Sequence, residues 1–244
     1  MPSFLILLLT AGALFWAYAR GWPRARAALT RWAPWLFPGR DRAGASADAR
    51  ARQLRTPLVR LAEATGVRTR AGQLATRYAI GAEGERRTAT RIDPLRRKGF
   101  TVMHDRALPT SRANVDHLVI APGGAVFLPD TKKWSARYPV TVRAGRLWHG
   151  DRDVTGRLRG LHHEAETVAA VLGVPVTPIV AMEGAPLLGP QGRPTRELVF
   201  RGVRIVPSDV LPNFIRTTAR IPGPRPAADL VARAEHALPP YTRS

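Results

Sequence analysis

The sequence predicts an α/β fold, a mixed central sheet with flanking helices, preceded by an N-terminal transmembrane helix. Three observations predict it. Segments of helical and strand period alternate from about residue 73, in the order α-β-β-β-(β)-α-β-β. Two apolar runs flank a Pro-Gly-Gly turn, which places an antiparallel hairpin within that alternation. The first nineteen residues carry no charged side chain.

That opening run, "MPSFLILLLTAGALFWAYA", is short for a membrane span but sufficient, since spans range from roughly 17 to 25 residues. Residues 20–42 follow with six Arg against one Asp, and Trp16, Trp22, Trp32 and Trp35 lie within the opening segment 1–42. Arginines behind an apolar run keep the remainder of the chain in the cytoplasm, and the tryptophans suit an interfacial belt. Ala17-Tyr18-Ala19 resembles a signal-peptide cleavage site, but no charged residue precedes the apolar run and Arg20 follows at once. The expectation is a single-pass anchor in the cell membrane over residues 1–20. A basic juxtamembrane segment and linker helix, with Leu54, Leu58 and Leu61 at helical spacing, covers 21–72 and meets anionic lipids.

The globular part starts near Gln73. "GAEGERRTATRI" reads as a helix with Ala82, Ala89 and Ile92 on one side, and its Gly81 and Gly84 as positions of close helix packing. Asp93-Pro94 interrupts it, Gly99 stops it, and a short strand follows over 100–104. "NVDHLVIAPGGAVFLPDTKKW" is the hairpin, and "YPVTVRAGRLWHG" a second one turning at Ala144-Gly145. Leu158, Leu161, Ala165, Val168 and Leu172 share a helix face that Gly173 closes. An inner strand over 174–182 completes the core, assigned to residues 73–182. Residues 183–244 extend the same domain with a loop, one strand over 198–206, an N-cap at Ser208 or Asp209, and a terminal helix from Ala227.

Composition narrows the chemistry. The net charge is +20 and the pI about 11.7, a balance that points to polyanions, although an Arg-rich surface alone gives the same sum. There is no cysteine, which excludes disulfides, thiolate metal sites and cysteine nucleophiles. Only three of 38 basic residues are Lys, namely Lys98, Lys132 and Lys133. A Lys pair beside Asp130 in so Arg-rich a chain suggests a task for a compact, tunable ammonium.

Register supplies the partners. With a three-residue loop over 122–124, Ala121 pairs with Ala125 and Asp116 falls opposite Asp130. Lys132 then shares their face, above Leu118, Ile120, Val126 and Leu128. Opposed like charges destabilise a sheet, so the pair is either bridged by a divalent cation or consists of two unrelated aspartates at strand ends. His117 points to the other face, and adjacent His162 and His163 diverge around their helix, a poor metal pair.

"GAEGERR", "FTVMHDRALP" and "NVDHLVIAPGGAVFLPDTKKW", in that order, resemble the nuclease-related domain of bacterial proteins, within the PD-(D/E)xK nuclease superfamily. The resemblance implies a restriction-endonuclease-like fold and a Mg2+ (or Mn2+)-dependent endonuclease hydrolysing phosphodiester bonds of DNA. It makes Asp116 and Asp130 the acidic pair, Lys132 the lysine and Glu85 the helix-borne carboxylate. The metal would sit on Asp116, Asp130 and the backbone carbonyl of Thr131, with Lys132 orienting or activating the attacking water. Two departures stand out. Pro129 replaces a β-branched residue and suits an edge strand or bulge, and "GLHHEAETV" lacks the Gln that some branches carry. The alternatives are a catalytically degenerate DNA-binding or membrane-associated module of the same fold, and a structural membrane protein docked on lipid by its stalk.

Overall fold

The computed structural model describes residues 43–241 apart from 110, 112, 222, 224 and 226. The anchor expected over 1–20 lies outside them, as does the juxtamembrane segment up to residue 42. Among the described residues no helix is long and apolar enough to cross a membrane.

Helix α1 (Ala45–Leu54) starts behind Gly44, whose φ is 77°. A Cβ at Gly44 would stand 2.7 Å from the Ala82 carbonyl oxygen, so only glycine lets the chain approach this closely. Helix α2 (Pro57–Ala64) is capped by Thr56, which accepts the Val59 N–H, and opens on a proline at its first turn. Helix α3 (Arg70–Ile92) is capped by Thr69 in the same way and buries Ala75, Ala82, Ala89 and Ile92. Since α1 packs along α3, the compact unit begins well ahead of Gln73. A 3-10 turn (Asp93–Lys98) then ends at Gly99, φ 82°.

Strands β1 (Thr101–Ala107), β2 (Asn114–Ile120) and β3 (Val126–Lys133) run antiparallel in sequence. A small excursion follows, made of β4 (Val140–Arg143), β5 (Arg146–His149) and β6 (Arg152–Asp153). Ala144 and Gly145 turn the first of its hairpins, both with positive φ, as a tight turn requires. Helix α4 (Arg159–Leu172) ends on Gly173, φ 66°, and returns the chain to β7 (Val176–Glu183), parallel to β3. Strand β8 (Leu187–Leu188) joins the excursion sheet, and β9 (Leu198–Phe200) and β10 (Val203–Pro207) complete the main one. Helices α5 (Leu211–Thr218) and α6 (Ala227–Ala237) close the fold.

The main sheet has the order β1-β2-β3-β7-β10-β9, parallel at β3–β7 and β7–β10 and antiparallel elsewhere. Period two divides its side chains into two cores. Leu118, Ile120, Val126 and Leu128 meet Leu161 and Val168 of α4 and Leu230 of α6. Val119, Phe127, Ile179 and Ala181 meet Ile92 of α3 and Leu211 and Ile215 of α5.

Three expectations change. Residues 198–206 form two strands, because Arg201 and Gly202 both take positive φ (48° and 81°) and turn the chain back. Neither Ser208 nor Asp209 caps α5, whose N-cap is Val210 with no side-chain bond; the Ser208 N–H instead donates to the Met182 carbonyl at 2.9 Å. Pro129 is not on an outer strand, although the side of β3 that faces β2 is unpaired beyond Phe127. It is inside β3, the third of six strands.

Candidate functional site

The hairpin adopts the register read from its loop. The Ala121 N–H donates to the Ala125 carbonyl at 2.8 Å, and Ile120 pairs with Val126 and Val119 with Phe127. Continued outward, this register sets Asp116 across from Asp130. The ladder itself stops at Phe127. Ala121 and Ala125 form a hydrogen-bonded pair, so alternation puts Phe127 and then Pro129 in the positions that donate to β2. Pro129 has no N–H to give, and β2 and β3 stay unlaced from there on. On its other edge β3 remains paired to β7 as far as Lys133 and Glu183.

The acidic side chains gather at this opening. Asp130 is buried, and its Oδ1 accepts a hydrogen bond from Lys132 Nζ at 2.7 Å. The same ammonium lies 2.5 Å from Oδ2, so it is shared between the two oxygens of the buried carboxylate. Asp116 is half-buried and opens on a cavity that Glu85 also lines. Glu85 comes from α3, is 8% exposed, and leaves its Oε2 without a partner. Its helix is seated by Gly84, where a Cβ would stand 3.1 Å from Thr131 Cγ2, and by the Thr131–Thr88 hydroxyl bond at 2.8 Å. Gly81 does no such packing: a Cβ there meets nothing within 4 Å.

The electrostatics follow from crowding. Burial, then the charges of Asp105 and Asp130, push the Glu85 carboxyl up to about 8. Burial, then Glu85 and Asp130, raise Asp116 well above the carboxylate range. Burial works to lower the Lys132 ammonium, but Asp130 and Asp116 outweigh it and the net shift is upward. Lys132 is therefore a fixed positive charge among acids.

Two members of the cluster were missed by sequence reasoning. Glu164, on α4, is raised to about 7 by burial and then by Asp130, and its charge also acts on Asp116 and Lys132. It lies within "GLHHEAETV", where the search was for Gln; the helical period that put Leu161 and Ala165 on the buried face was the signal available. Asp105 lies between the pairs His104–His117 and Arg106–Val115, hence opposite Asp116, with a φ of 49°. Its Oδ2 accepts the Ser46 N–H at 2.7 Å and its Oδ1 the Asn114 amide at 2.8 Å.

Other sequence candidates stand apart. His117 faces the opposite side, where its Nδ1 is 2.8 Å from Nδ1 of His104, and His104 Nε2 is 3.0 Å from Asp93 Oδ1. Burial, and secondarily His104, depress the His117 ring well below the usual imidazole range. His163 is exposed and His162 half-buried on α4. Lys133 is exposed at the end of β3, and nothing around it explains its rarity.

A hard cation suits this donor set. Its atoms are oxygens, Glu85 Oε2 is buried without a hydrogen-bond partner, and a positive ion would relieve the mutual repulsion. In the present arrangement no three acidic or histidine side chains among the described residues close around one point. Asp116 and Asp130 would offer two carboxylates, a number typical of magnesium sites.

Residues 80–182 match the family model described as the nuclease-related domain. The match runs from the middle of α3 to the end of β7 and includes Glu85, Asp105, Asp116, Asp130, Lys132 and Glu164. No curated protein and no solved structure matches the chain.

Proposed function

With a nuclease-related domain at residues 80–182 as the premise, we propose that this chain hydrolyses phosphodiester bonds of DNA with the help of magnesium or manganese. One observation carries the reading: Asp116, Asp130, Lys132, Glu85 and Glu164 act on one another as a single charged cluster beside a cavity. Asp116, Asp130 and the Thr131 carbonyl would hold the metal. Such an ion, when bound, polarises a phosphate oxygen and lowers the pKa of a water. Lys132 stays protonated, orients that water and stabilises charge developing on the phosphoryl oxygens. As water oxygen bonds to phosphorus and the ester P–O bond breaks, the water's proton needs an acceptor and the departing oxygen a donor. Glu164 and Glu85, with carboxyls near 7 and 8, are suited to exchange protons at neutral pH.

The net charge of +20 supports DNA as the partner. So does the excursion sheet, where Arg143 lies 4.7 Å from the Trp148 ring centroid and His149 stacks at 5.3 Å on Trp134, two residues beyond Lys132. We retain the single-pass anchor over residues 1–20, with this domain cytoplasmic, on the strength of the uncharged opening run and its Arg and Trp flank. A second reading, a domain that binds DNA without cutting it, is favoured by the open donor set.

Plasmid DNA incubated with the full-length chain and magnesium or manganese separates the two. Nicking that Asp130→Asn abolishes and Lys132→Arg lowers at least about tenfold supports the nuclease, because arginine's fork misplaces the contact while keeping the charge. Salt-sensitive retention with no cut by the wild type leaves the binding module.

A further inference from the structure

The cavity beside the carboxylates has a volume of about 380 Å³. Glu85 and Asp116 line it together with Arg50, Arg77, Tyr78 and Tyr241. These last four lie outside residues 80–182: one on α1, two on the first half of α3, one beyond α6. The matched domain thus supplies the acids, and the flanking segments shape the space in front of them.

Gly81 is the second observation. It lines this cavity from within α3, yet a Cβ there would touch nothing within 4 Å. Glycine is the poorest helix former after proline, and here no close approach or positive φ requires it. What its missing side chain provides is room. Facing that room, the Arg50 guanidinium lies 5.9 Å from the Tyr78 ring centroid, while Glu85 Oε2 is buried without a hydrogen-bond partner.

We propose that this recess seats one unpaired nucleotide at the end of a DNA strand, so that the cluster acts on single-stranded ends or flaps in preference to intact duplex. The proposal rests on the nuclease reading for its chemistry. The volume lies at the low end of ligand pockets, which span roughly 300–1,000 Å³, and suits one nucleotide. Arg50, already over the Tyr78 ring, and Arg77 offer forks to a phosphate, and Tyr78 would stack a base on the ring face that Arg50 leaves.

The test is a binding measurement in calcium on the full-length chain. The probes are a single strand, a duplex with an unpaired 3′ tail, and a blunt duplex, each with a terminal 2-aminopurine. The wild type is expected to quench the first two and to bind them at least about tenfold tighter than the blunt duplex, as a stacked base permits. Tyr78→Ala removes the quench. Gly81→Leu fills the recess from a position with open space, so it melts no lower than wild type yet loses the preference about tenfold. Equal binding of blunt and single-stranded probes, or a Gly81→Leu variant that keeps both quench and preference, overturns the inference. Plasmid nicking without this preference sinks the inference alone. The preference without cleavage of any DNA supports the seat and sinks the nuclease reading.

Discussion

Replacing Glu85 by Gln tests the central electrostatic claim without any substrate. The Glu85 carboxyl titrates near 8 in the folded chain and at 4.5 when unperturbed. Below pH 4.5 both states hold the proton and the group has no effect on stability. Between 4.5 and 8 the unfolded chain ionises while the folded one keeps its proton, so stability falls as pH rises, and above 8 the loss levels off. At about 1.4 kcal/mol per pKa unit, the loss between pH 5 and pH 8 is about 3.5 kcal/mol. Asp116 and Glu164 are raised too, and sharing protons among them reduces the figure to about 2–3.5 kcal/mol. Gln has the same shape, does not ionise, and still accepts the bond that the Gly44 N–H gives Glu85. Thermal melts of wild type and Glu85→Gln in EDTA at pH 5, 6, 7 and 8 read the difference. The variant's advantage should grow by roughly 5–12 °C across that range, at about 2–4 °C per kcal/mol for a domain of this size. An increment that is the same at pH 5 and pH 8, or a variant less stable at pH 8, would falsify the claim that Glu85 is held buried beside the charges of Asp105 and Asp130.

Three further outcomes follow from packing and burial. Gly84→Val should destabilise the fold by about 1–3 kcal/mol, because its side chain drives into Thr131 where even a Cβ stands 3.1 Å away, whereas Gly81→Ala, in open space, should gain up to about 1 kcal/mol; chemical denaturation of both variants decides this. The His117 ring should remain neutral at pH 5.5 in imidazole NMR spectra, since burial and the neighbouring His104 oppose its charge, and a protonated ring at that pH would show that the interior there is wet.

The acidic pair and its lysine were legible because local rules determine them. Gly124, with a φ of 84°, fixes a three-residue loop, and strand alternation then carries register from Ala121 to Asp116 and from Ala125 to Lys132. Glu85 needed the resemblance, since a helix period gives a face but not the depth to which it is inserted. Glu164 needed the structure, because only the packing of α4 on the sheet brings it to Asp130. Asp105 was hidden by a backbone conformation that an Asp adopts more readily than most residues and that no neighbouring glycine announces. Helix α1 read as a linker because its contact surface is made of Gly44 and Ala51, residues too small to register as apolar pattern. Pro129 signalled the lost ladder donor, but one strand cannot reveal that only its β2 side is unlaced while its β7 side stays paired.

That half-laced strand gives the sheet two leaves. One is β1-β2, carrying Asp105 and Asp116; the other is β3-β7-β10-β9, carrying Asp130 and Lys132. They are sewn together only near the 121–125 turn and part toward the acids. With no ladder bonds across it, the spacing of the carboxylates that face one another there is left to side chains, and Lys132, which already bridges the two oxygens of Asp130, is the cation at hand to hold it. Elsewhere in the sheet the backbone fixes such distances; at this seam charge takes over that task.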